Sequence, residues 1–243
     1  MNWSDEGIIL GSRRHGESSL IVELMTAAHG RHLGLVKGAR RSQERAALQP
    51  GNTVSASWRA RLDEHLGNYT IEPVTVRAAA LMDGPAALYA LQVMAGLLRL
   101  VPERDPHPAL YHRLAHTIEH LAEADIAGAL VVQFELELLR ELGFGLDLDS
   151  CAATGVSADL VYVSPKSGRA VSRKAGAPFC DRLLPLPAFL TTSEEMPPAR
   201  EILDGFRLTE FFLRRHVLDP RGLALPPARE NFIALLNRSP VAA

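Results

Sequence analysis

Two hydrophobic patterns divide this chain. Over roughly the first 75 residues the apolar positions come in short β-branched runs separated by turn residues. Glu6–Arg13 and Ser19–Thr26 are predicted strands with Arg14-His15-Gly16-Glu17 as the turn between them. Ala27-Ala28-His29-Gly30 is the next turn and leads into a strand at Arg31–Val36. In Asn52–Arg61, Val54, Ala56, Trp58 and Ala60 fall on one side and Thr53, Ser55, Ser57 and Arg59 on the other. Leu62-Asp63-Glu64 turns the chain into a fifth strand at His65–Val76. Five short, evenly spaced strands suggest a closed β-barrel, which leaves no exposed sheet edge.

At about Leu81 the period changes to that of a helix. Leu88, Leu91, Met94, Ala95 and Leu98 mark a helix over Pro85–Val101 that stops at Pro102. Tyr111, Leu114, Ala115, Ile118 and Leu121 mark a second over Pro106–Ala124, and Ile126–Leu142 is a third, ending at Gly143. From Leu146 to Pro187 the helical pattern lapses. Leu160–Val163 and Ala170–Arg173 read there as a hairpin about Ser164-Pro165-Lys166-Ser167-Gly168. Helices resume at Ala199–His216 and Ala228–Asn237. The predicted organisation is a barrel over residues 1–80 and a helical domain over 81–243, with a hairpin inserted at about 146–187.

Composition and charge refine this picture. With 47% apolar and 22% charged residues the chain has the makings of a sizeable core and no long disordered stretch. Met1–Glu6 lacks the basic-then-apolar pattern of a signal peptide. No apolar run reaches membrane-spanning length. Two cysteines, Cys151 and Cys180, make no disulfide framework, so a cytoplasmic location is expected. The net charge of −2 conceals an asymmetry. Gly11–Arg61 holds nine cations (Arg13, Arg14, Arg31, Lys37, Arg40, Arg41, Arg45, Arg59, Arg61) against Glu17, Glu23 and Glu44, a local charge of +6 that leaves −8 for the remainder. A basic module joined to an acidic body implies an anionic partner for the first and a different one for the second. A merely solvated charged face is the alternative reading.

Val36-Lys37-Gly38-Ala39-Arg40-Arg41 is the sharpest local signal, with three cations beside a flexible glycine just after a predicted strand. Such a loop can neutralise phosphates. Trp3, Trp58 and Tyr69 are the sole aromatics before residue 80, and Trp58 alternates with core positions. Backbone electrostatics is therefore favoured over base stacking on the barrel.

The ordered set Gly7-Ile8-Ile9-Leu10, Gly16-Glu17-Ser18-Ser19-Leu20, Thr26…His29-Gly30, Lys37-Gly38-Ala39-Arg40-Arg41 and Leu48-Gln49-Pro50 resembles the N-terminal barrel of the RecO family of DNA repair proteins. Phe134-Glu135-Leu136-Glu137-Leu138-Leu139, Leu142-Gly143-Phe144-Gly145 with Leu146 and Leu148, Cys151, and Phe211-Phe212-Leu213 extend the resemblance to nearly the whole chain. It implies an α+β protein: an N-terminal OB-fold barrel, then an α-helical domain with a degenerate zinc-ribbon-like insertion. It also implies a recombination mediator without catalytic activity, located in the cytoplasm and at the nucleoid. Such a mediator binds single- and double-stranded DNA, anneals strands, contacts single-stranded DNA-binding protein and RecR, and helps load RecA. By motif position Lys37, Arg40 and Arg41 are the DNA contacts; Arg13, Arg14, Arg31 and Arg45 join them from the charge count. Arg207, Arg214 and Arg215 are candidates for docking an acidic protein tail.

Family members that hold zinc use two C-x-x-C pairs. The corresponding positions here are Cys151, Thr154, Ser172 and Ala175, so one thiol stands where four ligands are needed and no metal is expected. The hairpin is then expected to be held by Val161, Val163, Val171 and Phe179. His112, His116 and His120 form a stripe at i, i+4, i+8, but the apolar face of that helix lies elsewhere and the stripe is expected to face solvent. No phosphate loop, Ser-His-Asp order or carboxylate pair stands out, so no cofactor or catalysis is expected. A protein-interaction adaptor, its barrel docked on another protein, is the competing class.

Overall fold

In a computed structural model, which describes residues 1–38, 42–191 and 196–238, the chain separates into two compact units, Met1–Ala122 and Glu123–Ala243. Strands β1 (Asn2–His15), β2 (Ser19–Thr26), β3 (Gly30–Val36), β4 (Thr53–Arg59) and β5 (Asn68–Thr75) close into a barrel in the order β1-β2-β3-β5-β4. β1 is longer than its sequence suggests because it serves two partners. Asn2–Ile8 pairs with β4 and Gly7–His15 with β2, and a bulge between Ile9 and Gly11 bends it from one to the other. Closure is by two parallel pairs, Leu35 with Asn68 and Val36 with Tyr69. Gly34 permits it, since a Cβ there would lie 2.3 Å from the Tyr69 ring.

Inside the barrel, Ile9, Val22, Leu24, Leu48, Val54, Ala56, Trp58 and Tyr69 form the core. Trp58 is 1% exposed, as its alternation with apolar residues indicates. Two short helices that the pattern does not announce, α1 (Ser42–Ala47) and α2 (Ala78–Met82), flank the strands. Helices α3 (Pro85–Leu98) and α4 (Pro108–His120) complete this unit. The predicted division at residue 80 marks the change from strand to helix, while the compact unit runs on to residue 122. Buried Glu23 explains this: it accepts from Arg31 of β3 at 2.9 Å and from Arg99, beyond α3, at 2.8 Å. Gly30, at φ 63°, is a second point of close approach, for a Cβ there would strike the Asp105 carbonyl at 1.9 Å. On α4, His112 and His116 are exposed and His120 is half-buried, so the stripe faces solvent.

His32 is buried within the barrel and meets the Tyr69 hydroxyl through Nδ1 at 3.0 Å, while Nε2 has no hydrogen-bond partner among the described residues. Burial, then the nearby Arg104 charge, lowers its pKa to about 4. The unfolded chain therefore binds a proton that the folded chain refuses between pH 6.5 and 4, and stability must fall as pH falls through that window. The expected decrease by pH 4 is about 3 kcal/mol, at ~1.4 kcal/mol per unit. Urea titrations across this range should show that His32→Gln, which keeps a partner for Tyr69, no longer has that dependence. An unchanged slope in the variant would assign the pH dependence to other groups.

The second unit is built on α5 (Ala124–Glu141), α7 (Ala199–Leu213) and α8 (Pro227–Leu236), with β6 (Leu160–Val163), β7 (Ala170–Ser172), α6 (Arg173–Gly176) and β8 (Leu184–Pro185) between the first two. The three small strands form a sheet in the order β7-β6-β8. Val163, Ala170 and Val171 are buried there with Cys151 and Leu186. Phe179, expected to pack, is instead 56% exposed on a 3₁₀ turn over Ala177–Arg182. Gly176 takes over the close packing: a Cβ there would approach the Tyr162 ring at 2.5 Å.

Arg229 on α8 locks the three long helices together. It is 1% exposed and grips Glu135 of α5, 0% exposed, through Nε at 2.7 Å and Nη2 at 3.1 Å. It also donates to the Phe206 carbonyl and to Glu210 of α7, each at 2.7 Å, and the Thr209 hydroxyl donates to Glu135. Removing one member of such a buried pair strands the other charge, at a cost of about 3–5 kcal/mol. Arg229→Met should show that destabilisation in urea unfolding, and adding Glu135→Leu should recover most of it. Additive destabilisation in the double variant would mean that packing, not charge pairing, sets the energy.

Candidate nucleic-acid interface

A groove of about 380 Å³ lies on the first unit, lined by Ser12, Arg14, Gly16, Glu17, Ser18, Ser19, Leu20, Arg45 and Gln49. Two separate stretches build it, the β1–β2 hairpin over residues 12–20 and residues 45 and 49. Ser12 and Arg14 come from the last third of β1, where period-2 alternation puts them on one face. Gly16, at φ 64°, lets the β1–β2 turn reverse in the space of three residues, bringing Ser18 and Ser19 to the wall. Arg45 and Gln49 come from α1 and the turn after it, the Gln49 side chain donating to the Arg45 carbonyl at 3.3 Å.

Val36 pairs with Leu20, so Lys37 leaves β3 beside this same wall, exposed and at the edge of the ladder. Among the described residues the side chains of Arg14 and Lys37 form no ion pair within the fold, which leaves both charges available to an outside anion. Gly38, at φ 73°, has no atom within 4 Å of where a Cβ would stand. Arg40 and Arg41 lie outside the described residues. Arg13 is exposed on the opposite face of β1. Arg31 is a correction to the charge count. Its guanidinium is bound to Glu23, donates to the Val101 carbonyl at 3.4 Å, and is 13% exposed, so it is part of the fold and not of the interface.

Charge counting does not select Ser12, Ser18, Ser19 or Gln49. A signal for three of them is nonetheless present, because Gly16-Glu17-Ser18-Ser19-Leu20 and Leu48-Gln49-Pro50 both stand among the resembling motifs and meet here. Hydroxyls, an amide and two arginines in a shallow polar groove can accommodate a phosphodiester backbone.

Two family models match the chain, one after the other. Residues 1–77 match the family described as Recombination protein O N terminal, and residues 82–223 match Recombination protein O C terminal. The chain belongs to the RecO family. It is 59% identical over 241 residues to a DNA repair protein RecO of Bradyrhizobium sp. (strain ORS 278), covering 98% of this chain and 97% of that one. Similar proteins of the same name occur in Chelativorans sp. (strain BNC1), 57% identical over 240 residues (98% and 97%), and Mesorhizobium japonicum, 58% over 241 residues (98% and 94%).

On the second unit, the three arginines considered for protein docking are all exposed. Arg207 pairs with Asp204 at 2.8 Å and Arg214 with Glu210 at 2.7 Å, while Arg215 donates to the Pro165 carbonyl at 2.9 Å. They share a helix and its extension but not one pocket.

Of the positions where the resemblance expects zinc ligands, Ser172 and Thr154 lie against Cys151, with the wrong chemistry for zinc. Cys151 Sγ accepts from the Ser172 amide at 3.3 Å. Burial pushes the thiol up, but hydrogen bonds from Ser172, Thr154 and the Ala153 backbone outweigh it and bring it down to about 6. Two hydroxyls and the Ala175 methyl group do not complete a thiolate set. Among the described residues no group of three or more His, Cys, Asp or Glu side chains could hold a metal. Elemental analysis of the purified chain should therefore find well under one zinc per chain, and stoichiometric zinc that survives a chelator would contradict this.

Proposed function

We propose that this chain is a non-enzymatic recombination mediator in DNA repair, holding DNA along the groove lined by Arg14 and Arg45, with Lys37 at its edge. The observation that carries the reading is the convergence in that groove of the β1–β2 hairpin with Arg45 and Gln49, some thirty residues further along the chain, with exposed Lys37 leaving β3 at its edge. The strand order β1-β2-β3-β5-β4 supports an OB-fold assignment, a barrel type that binds oligonucleotides. The names of the relatives support a role in DNA repair and recombination. On this reading the chain binds single- and double-stranded DNA, anneals complementary strands, contacts single-stranded DNA-binding protein and RecR, and with RecR helps RecA onto coated single strands. Its location is the cytoplasm, with the nucleoid. Among the described residues no helix is long and apolar enough to cross a membrane.

The test replaces Arg14, Lys37 and Arg45 together with Ala in the full chain. Phosphate contacts carry no base information, so affinity should fall by a similar factor for all sequences. On single strands the slope of log affinity against log salt should flatten by ~0.7 for each phosphate that is no longer neutralised, about 2 in total. Fluorescence anisotropy across a salt series reads both quantities. Unchanged affinity and slope, with an unchanged circular dichroism spectrum, would move the interface elsewhere and favour the adaptor reading.

A further inference from the structure

The Leu142-Gly143-Phe144-Gly145 motif contributes nothing to the groove, yet it carries a partly exposed aromatic ring. It ends α5 in a Schellman turn: the Phe144 amide donates to the Leu139 carbonyl at 2.8 Å, the Gly143 amide to Arg140 at 3.0 Å, and Gly143 sits at φ 86°. The Phe144 ring then stacks on His216 at 5.0 Å with an interplanar angle of 13°. His216 in turn stacks on Phe212 at 6.0 Å and 9°. Phe212 and His216 are four residues apart where α7 runs into a π-turn over Arg214–Leu218, and Phe212 is anchored in the core at 2% exposure. The result is a column of three near-parallel rings. Its inner end is buried, and its outer ring, Phe144, is 36% exposed.

We infer that Phe144 is a stacking platform for a base of single-stranded nucleic acid, the base adding a fourth layer to the column. A flat ring face with its partner rings already aligned fits another planar ring better than it fits an aliphatic side chain. Two cations stand on the segments that hold the inner rings, the π-turn carrying His216 and the turn whose Gly168 packs near Phe212. Arg215 lies over Phe211 and donates to Pro165, and exposed Lys166 follows in that same turn. Neither cation has a carboxylate partner among the described residues. Cations flanking a stacking aromatic are the combination by which single strands are held without sequence preference. The inference rests on the DNA-binding reading and adds the base contacts for which the barrel has few aromatics.

The experiment compares an oligodeoxythymidylate with an abasic strand of equal length, both binding the full chain at one salt concentration. The two strands share phosphates and differ in bases. Wild type should prefer the base-bearing strand by roughly tenfold, the worth of one or two stacked bases. Phe144→Ala and Phe144→Leu should erase that preference and leave abasic binding unchanged, whereas Phe144→Trp should keep it. Thermal melts establish that each variant is folded. Full preference in the Ala variant, preference retained by Leu as well as Trp, or no preference in wild type would each overturn the inference while leaving phosphate binding intact. Failure of wild type to bind either strand would instead overturn the DNA-binding reading itself.

Discussion

The Asn52 side chain is fully buried and uses all of its hydrogen-bonding capacity. Its amide nitrogen donates to the carbonyls of Ala46 and Ala47, where α1 ends, and its oxygen accepts from the amides of Arg77 and Ala78, where α2 begins. Its own backbone carbonyl accepts from Ile9 at the bulge of β1. One residue thus supplies partners to a helix C-terminus and a helix N-terminus, ends that would otherwise leave polar groups unsatisfied, and pins both to the barrel wall. α1 spans only six residues and could not stand alone in water. Arg45 and Gln49 reach the groove because Asn52 holds the helix that carries them.

A second constraint lies across the barrel. Two residue pairs close the β3–β5 seam, and they can form because Gly34 offers no side chain to the Tyr69 ring. That seam fixes where β3 ends and therefore where Lys37 emerges. The groove depends on both fastenings, neither of which touches a ligand. A substitution at Gly34 or Asn52 would disturb the groove through geometry alone.

Much of this is legible in the sequence, and the limits have physical causes. Period-2 and period-3.6 patterns report burial on one face, so β2 (Ser19–Thr26) and β6 (Leu160–Val163) are predicted to the residue. β1 extends beyond its prediction because Asn2, Ser4 and Glu6 point outward and the signal of the inward residues between them, Trp3 and Asp5, is mixed. α1 and α2 escape because they are held by a side-chain amide, not by an amphipathic stripe. Charge counting groups Arg31 with Arg14, Lys37 and Arg45 because it cannot see that Arg31 has Glu23 for a neighbour, eight residues away and on the adjacent strand. Phe144 is visible as part of a motif. Its stacking on His216 is not, because that contact joins the end of α5 to the end of α7, across the whole of the small sheet and its flanking turns.

The charge asymmetry read from the sequence looks different once the compact units are known. The stretch Gly11–Arg61 is strongly basic, but the unit containing it extends to residue 122 and holds thirteen Lys and Arg against twelve Asp and Glu. The second unit holds thirteen against sixteen. Neither balance is large enough to steer a polyanion from a distance, and at physiological salt exposed charges are screened within ~8 Å. Recognition must then come from local arrangement. Arginines bound to carboxylates inside the fold, such as Arg31 and Arg229, contribute little outward field. Exposed cations beside hydroxyls or aromatic rings, as at Arg14 and Arg215, contribute where they stand. A nearly neutral chain can in this way hold a polyanion at short range, and such binding should be weakened steeply by salt.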